Sequence, residues 1–177
     1  MLNERLFLPV KIIHLIIKMR CLRIIVVLFF LAAGAHAQTL SLYDLTNLAN
    51  LNSSEAGNYL IQGKAFKRLY SQQVDGLNIE HYQSTTTKTE TVIIGNGIKT
   101  ADGKLLHLVK YNTTQSKHIL DFIAQAPATG LSMSFQGSDA TRNIYLFANF
   151  LYTVNIYLNN DNSAGDVEVQ QKDYLDY

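Results

Sequence analysis

The stretch from residue 20 to residue 37 constrains this chain most, because it has the three parts of a secretory signal peptide. It opens with Arg20 and Arg23, continues with an apolar segment and closes on an Ala-x-Ala sequence that ends at Ala37. We therefore predict that residues 1–37 are a leader that is cleaved after Ala37. The protein is then exported, to the periplasm or to the medium, and only the rest of the chain contributes to its fold.

The residues ahead of the signal peptide bear on the start of translation and on an alternative role of the leader. Residues 1–18 would form a long and apolar extension, whereas a chain that begins at Met19 has a leader of ordinary length. The alternative is an uncleaved amino-terminal membrane anchor from about Leu6 to Ala37. Charged side chains interrupt that stretch, and a span needs about 20 mostly apolar residues. Contact with a membrane is thus expected only through an uncleaved leader.

The composition of the mature part argues against several functional classes. Residues 38–177 hold ten Lys and Arg against thirteen Asp and Glu, a formal charge of −3, so the basic excess of the chain lies in the leader. A mildly acidic surface without basic clusters argues against nucleic acid as the main partner. The single cysteine, Cys21, also lies in the leader. We therefore expect no disulfide, no thiolate nucleophile and no thiolate metal site in the mature protein.

The mature chain is predicted to be α+β. Leucines at every third position from 42 to 51 indicate a short N-terminal helix within residues 38–53. Ser54 is a predicted cap of a second helix that ends at Gly63, and Ser116 is a predicted cap of a third that ends before Pro127. Each of these two helices precedes four strand-like segments. The segments are 65–71, 76–83, 90–98 and 104–111, then 131–136, 143–149, 151–159 and 167–173.

The order of one helix and then four strands occurs twice, which predicts an internal duplication. The first unit is residues 54–114 and the second is residues 115–177, and we expect the two units to form one domain. A few identities support the match, such as Thr91-Val92 with Thr153-Val154 at an offset of 62 residues. Each unit then needs its neighbour to bury its apolar face.

Two helix-and-meander units in tandem resemble the architecture of the beta-lactamase-inhibitor-protein-like fold. They also resemble small exported proteins of unknown function that are common in Gram-negative bacteria. The resemblance covers residues 54–174 and rests on element order. It implies two four-stranded antiparallel meanders, each preceded by a helix, and it implies a shape rather than an activity. The disulfides of secreted inhibitors with this architecture have no counterpart here, because the mature part lacks cysteine.

Patterns typical of catalysis or metal binding are weak in the mature chain. Its histidines, His81, His107 and His118, lack the close spacing of a local metal site. No Gly-x-Ser-x-Gly sequence occurs. Asp166 and Glu168 share one face of a predicted strand, which is more typical of a solvated surface than of a hydrolase pair. We therefore predict a protein without enzymatic activity and without a cofactor or metal.

The segment from residue 159 to residue 166 is rich in Asn, Asp and Gly, and it has two interpretations. Its oxygen-bearing side chains are those of a calcium loop. The same residues also supply the left-handed backbone conformations of a hairpin turn. Because the segment lacks the alternating acidic positions and the final Glu of an EF-hand loop, we favour the turn.

Aromatic residues concentrate late in the chain and suggest a candidate binding face. Tyr145, Phe147, Tyr152 and Tyr157 lie in two successive predicted strands. At such positions aromatic side chains either fill a core or form a protein-binding surface. Our first hypothesis is a non-enzymatic envelope protein that presents a curved antiparallel sheet to a partner protein or peptide through these residues.

Two other functional hypotheses remain open. One is a small-ligand or cell-wall-associated module, or an enzyme of unfamiliar type. It would need a pocket between the helices and the sheet, with polar groups that converge there and that could include His81 and His107. The other is a structural protein of the outer envelope.

Overall fold

The computed structural model describes residues 39–74, 76–99 and 105–173. The predicted leader, residues 1–37, and the predicted start at Met19 lie outside these residues. Within the described ranges, the helices are too short or too polar to cross a bilayer.

The described chain is α+β, which confirms the predicted class, and it consists of three α-helices and one eight-stranded antiparallel sheet. All eight predicted strands are present, with ends shifted by at most three residues. The helices are α1 (Leu42–Leu48), α2 (Ser53–Asn58), which continues as a π-helical turn over Tyr59–Gly63, and α3 (Ser116–Gln125). The strands are β1 (Phe66–Val74), β2 (Leu77–Ser84), β3 (Thr91–Lys99), β4 (Leu105–Thr113), β5 (Ser132–Ser138), β6 (Arg142–Ala148), β7 (Tyr152–Asn159) and β8 (Gly165–Gln171).

The sheet consists of two meanders that meet at their last strands. The strand order is β1-β2-β3-β4-β8-β7-β6-β5. Each meander folds through consecutive hairpins. The two meanders are joined where β4 pairs with β8, from Leu108 opposite Gln170 to Thr113 opposite Gly165. The strands β1 and β5 form the two outer edges.

The start of α2 corrects a predicted helix cap. The N-cap is Asn52, whose side chain accepts a hydrogen bond from the Glu55 backbone N–H, while the Glu55 carboxylate accepts one from the Asn52 backbone. Ser54, the predicted cap, lies inside the helix. Asn52 caps because it has a Glu three residues later, as a reciprocal capping box requires. Ser116, also predicted as a cap, is the first residue of α3.

The Asn-rich segment between β7 and β8 is a hairpin turn, as predicted. Asn162 has a φ of 55°, and its backbone N–H donates to the Asn159 carbonyl at 2.9 Å. The Asp161 carboxylate accepts a hydrogen bond from the Ser163 backbone N–H at 2.9 Å. The polar side chains of the segment therefore stabilise the turn itself.

The core lies between the three helices and one face of the sheet. α1 contributes Leu42, Leu45 and Leu48, all fully buried at the predicted spacing of three. Each such side chain stabilises the fold by about 1.5–3 kcal/mol through burial. From α3, Phe122 packs edge-to-face on Tyr111 with ring centroids 5.4 Å apart. The sheet residues of the core are Phe66, Tyr82, Val92, Ile94, Val109, Tyr111, Phe147, Tyr152, Val154, Ile156, Leu158, Val167 and Val169.

A buried ionic cluster connects α1 to the π-helical turn. The Asp44 carboxylate accepts hydrogen bonds from the Tyr59 hydroxyl, the Ser41 backbone and hydroxyl, and the Lys64 ammonium at 2.9 Å. The side chains of Asp44 and Lys64 are 8% and 10% exposed. Burial alone would raise the pKa of Asp44, but the hydrogen bonds from Tyr59, Lys64 and Ser41 outweigh it and hold that pKa below its ordinary value.

We expect the substitution Asp44→Asn to destabilise the protein by about 3 kcal/mol at neutral pH, because Lys64 is left buried without its counter-charge. Urea unfolding of the two proteins measures the difference. Since the folded-state pKa is lowered, the advantage of the wild type is complete above the ordinary pKa of 3.8 and shrinks as the pH falls through the folded-state value.

The matched control is Asp121→Asn, which removes a carboxylate from the exposed ion pair with Lys117 on α3. That change should cost less than about 0.5 kcal/mol. If Asp44→Asn and Asp121→Asn lowered the free energy of unfolding equally, the Asp44 cluster would have no special role in stability.

Candidate functional site

The four aromatic residues predicted as a binding face do not share one surface. Phe147 and Tyr152 are core residues, 1% and 6% exposed, and Tyr145 packs against the core from the same side of the sheet. Tyr157 lies on the opposite side, because side chains alternate along a strand and Tyr157 is five residues after Tyr152 in β7. Of the four residues, Tyr157 alone lies on the side of the sheet away from the helices, where a partner could contact it.

The side of the sheet opposite the helices, here called the helix-free face, extends over all eight strands. No described helix covers it. Most of its side chains are half-buried by their neighbours in the sheet, and those on the edge strands are more exposed. Its main side chains are Tyr70, Ile79, His81, Ile93, Leu108, Lys110, Phe135, Arg142, Ile144, Leu146, Asn155, Tyr157, Asp166 and Glu168.

The centre of the helix-free face is an ion-pair cluster of Lys110, Arg142, Asp166 and Glu168. The Lys110 ammonium lies 2.8 Å from Glu168 Oε1 and 3.6 Å from Asp166 Oδ2. The Arg142 guanidinium is 4.0 Å from Asp166 Oδ1 and also lies over the Tyr157 ring, 4.7 Å from its centroid. Two positive and two negative groups compensate one another, so the cluster has no formal net charge.

Asp166 is the least favourably placed charge of this cluster. Burial raises its pKa, and the nearby charges of Lys110 and Arg142 offset that effect only in part. Lys110 behaves differently: its hydrogen bond to Glu168 raises its pKa and keeps the ammonium charged. The pair of Lys110 and Glu168 is therefore the stable part of the cluster.

Two apolar groups flank the ion-pair cluster. The first apolar group consists of Tyr70, Ile79, Ile93 and Leu108 on β1 to β4. Beside it, His81 stacks on the Tyr70 ring with centroids 4.2 Å apart and an interplanar angle of 20°. Half of the Tyr70 side chain remains exposed.

The second apolar group consists of Phe135, Ile144 and Leu146 on β5 and β6. Phe135 is 50% exposed and lies across Gly137, where a Cβ atom would be 2.6 Å from the Phe135 ring. Gly137 is therefore required for Phe135 to lie flat on the sheet. Both outer ends of the helix-free face thus present an aromatic ring to solvent.

The histidines do not meet in one pocket. His81 lies on the helix-free face, whereas His107 is in phase with the core residue Val109 and lies on the other side of the sheet. His118, at the start of α3, is 3.0 Å from the buried Glu90 carboxylate and 3.3 Å from the Tyr111 hydroxyl. In the described part of the chain, no three His, Cys, Asp or Glu side chains are grouped as metal ligands.

The sequence indicated only part of this arrangement. It placed Asp166 and Glu168 on one strand face, and the structure confirms that placement. It did not bring Lys110 and Arg142 to them, because those residues come from strands that are distant in sequence. The sequence did contain one signal for Lys110. Lys110 lies between the apolar residues Val109 and Tyr111 in a predicted strand, so its side chain belongs to the face opposite theirs.

We expect Asp166→Asn to raise the stability of the protein at neutral pH, because the amide is uncharged like the protonated carboxyl that the buried site favours. A raised folded-state pKa means that stability falls as the pH rises from the ordinary value of 3.8 through the folded-state value. The gain in stability from Asp166→Asn should therefore disappear below pH 3.8. Urea unfolding over this pH range measures it.

Glu168→Gln is the matched control on the same strand face. This substitution removes the hydrogen-bond partner of Lys110 and should lower stability by about 0.5–1 kcal/mol. Destabilisation of both variants to the same extent would contradict the distinction between the two carboxylates.

Comparisons with known proteins give no match for this chain, neither to a family model, nor to a curated protein, nor to a solved structure.

Proposed function

We propose that this is an exported, non-enzymatic module that binds a partner protein or peptide in the cell envelope through the helix-free face. The observation that carries the proposal is the composition of that face, in which two apolar groups with exposed aromatic rings flank a charge-compensated centre. A one-sided antiparallel sheet usually has a polar outer face. Contiguous apolar surface is more typical of a binding site.

The ion-pair cluster suits a surface that becomes covered. Burying an unpaired charge is costly, whereas Lys110, Arg142, Asp166 and Glu168 already have partners within the protein. Tyr157 and Arg142 are of the residue types that contribute most to protein interfaces. The partner is therefore expected to offer a mainly apolar surface, and the affinity should depend weakly on salt.

The tandem duplication and the resemblance to the beta-lactamase-inhibitor-protein-like architecture are part of this proposal. Two backbone features of the meanders support the duplication. Ala65 and Gly130, which are 65 residues apart, both have a left-handed backbone shortly before the first strand of a meander. Four residues later, at Leu69 and Ser134, each of these strands has an irregularity in its pairing.

The test uses two pairs of substitutions with matched exposure. The first pair, Tyr70→Ala with Phe135→Ala, truncates rings of the helix-free face that are each 50% exposed. The control pair, Leu120→Ala with Ile61→Ala, truncates side chains on the helical side that are 50% and 48% exposed. The full chain is expressed with its leader, and the exported protein is used for affinity capture from its own envelope fraction, followed by mass spectrometry.

We expect a specific partner to be captured by the wild type and by the control pair, and to be lost with the first pair. The captured protein is then purified, and its binding should protect β2, β3 and β6 from hydrogen exchange. Retention of every partner by the first pair, or a footprint confined to the helices, would overturn the proposal. Unfolding curves within about 1 kcal/mol of the wild type exclude a loss of folding as the cause.

A further inference from the structure

A cleft on the helical side of the protein has the chemistry of a small-ligand site. It lies between α1, the turn that follows α3 and the β6–β7 hairpin, and its volume is about 410 Å³. Small-molecule sites commonly have volumes of about 300–1,000 Å³. The cleft is separate from the helix-free face, so it would provide a binding activity in addition to the proposed one.

The lining of the cleft is polar but uncharged. Its nine described residues are Tyr, Thr, Asn, Ala and Leu, without Asp, Glu, Lys, Arg or His. A charged ligand would lose hydration here without gaining a counter-charge. Side-chain amides both donate and accept hydrogen bonds, as hydroxyl groups do. The lining therefore matches a neutral ligand that is rich in hydroxyl groups.

Two asparagines of the cleft have hydrogen-bonding capacity to spare. The Asn47 side chain makes no hydrogen bond to any described residue. The Asn149 side-chain oxygen accepts bonds from the Leu151 and Tyr152 backbone N–H groups, both at 2.8 Å, and its amide nitrogen bonds to no described residue. These bonds fix the orientation of the Asn149 amide in advance of ligand binding.

A third asparagine is held in place by its neighbours. The Asn50 side-chain nitrogen donates to the Tyr152 hydroxyl and to the Thr46 carbonyl, and its oxygen accepts a bond from Gln171 at 3.2 Å. The floor of the cleft is thus preorganised, which lowers the entropy lost on binding.

Tyr43 supplies an aromatic wall. It projects from α1 and is 69% exposed, although it has a large apolar ring. A tyrosine ring has an apolar face and a polar hydroxyl, so it can contact both the C–H groups and the hydroxyls of a sugar ring. From this combination of size, neutrality, amide groups and an exposed ring, we propose that the cleft binds a neutral saccharide of one or two rings.

The experiment is a titration of the exported protein with candidate ligands, in which binding is monitored through the amide chemical shifts in NMR spectra. The probes are diacetylchitobiose, cellobiose and maltose as neutral disaccharides, chitosan dimer as a cationic one and an uncharged tripeptide amide. We expect at least one neutral disaccharide to shift the amides around Tyr43, Asn47 and Asn149, with weaker binding of the cationic dimer. Absence of cleft shifts with all three neutral disaccharides, or binding of the tripeptide alone, would overturn the proposal.

Substitutions in the cleft locate the binding. Asn47→Ala removes one hydrogen-bonding side chain and should weaken binding of the responding disaccharide about tenfold. Tyr43→Ala should weaken binding to a similar extent, and Tyr43→Phe should weaken it less. Tyr70→Ala, on the helix-free face, is the control and should leave the affinity unchanged. Unaltered binding by both Asn47→Ala and Tyr43→Ala would place the saccharide elsewhere and refute the inference.

Discussion

The pairing of β4 with β8 is the constraint on which the rest of the structure depends. These strands belong to different meanders, and their paired residues are more than 50 positions apart in the chain. Closing such a loop costs entropy that local hairpins do not lose. Burial offsets this cost, because Val109 and Tyr111 of β4 and Val167 and Val169 of β8 are all fully buried in the core. Separated meanders would each expose an unpaired apolar strand edge.

The same pairing creates the helix-free face as one surface. Lys110 comes from β4, and its two carboxylate partners, Asp166 and Glu168, come from β8. Neither meander alone could form the ion-pair cluster. Within the second meander, β6 lies two strands from β8, and Arg142 reaches Asp166 and Tyr157 from there. The apolar groups at the two ends become parts of one face only through this joined centre.

The sequence predicts the elements of the fold well and their mutual contacts poorly. Leu42, Leu45 and Leu48 could be assigned to one helix face, because the helical period is local and regular. Strand alternation likewise places Tyr145 and Phe147, two residues apart in β6, on one side of the sheet. It could not show which side the helices cover, so Phe147 and Tyr157 were grouped although they lie on opposite faces. The ion-pair cluster and the cleft beside α1 were not predictable either, because each joins residues from segments that are distant in the sequence.

Native-state hydrogen exchange of the exported protein tests the joined sheet most directly. If the β4–β8 pairing holds the two meanders together, the amides of β4 and β8 should be among the slowest to exchange. Core amides of both meanders should then open with the same free energy, in one cooperative step. Exchange of one meander through a separate opening of lower free energy, while the other stays protected, would contradict a single sheet centred on β4 and β8.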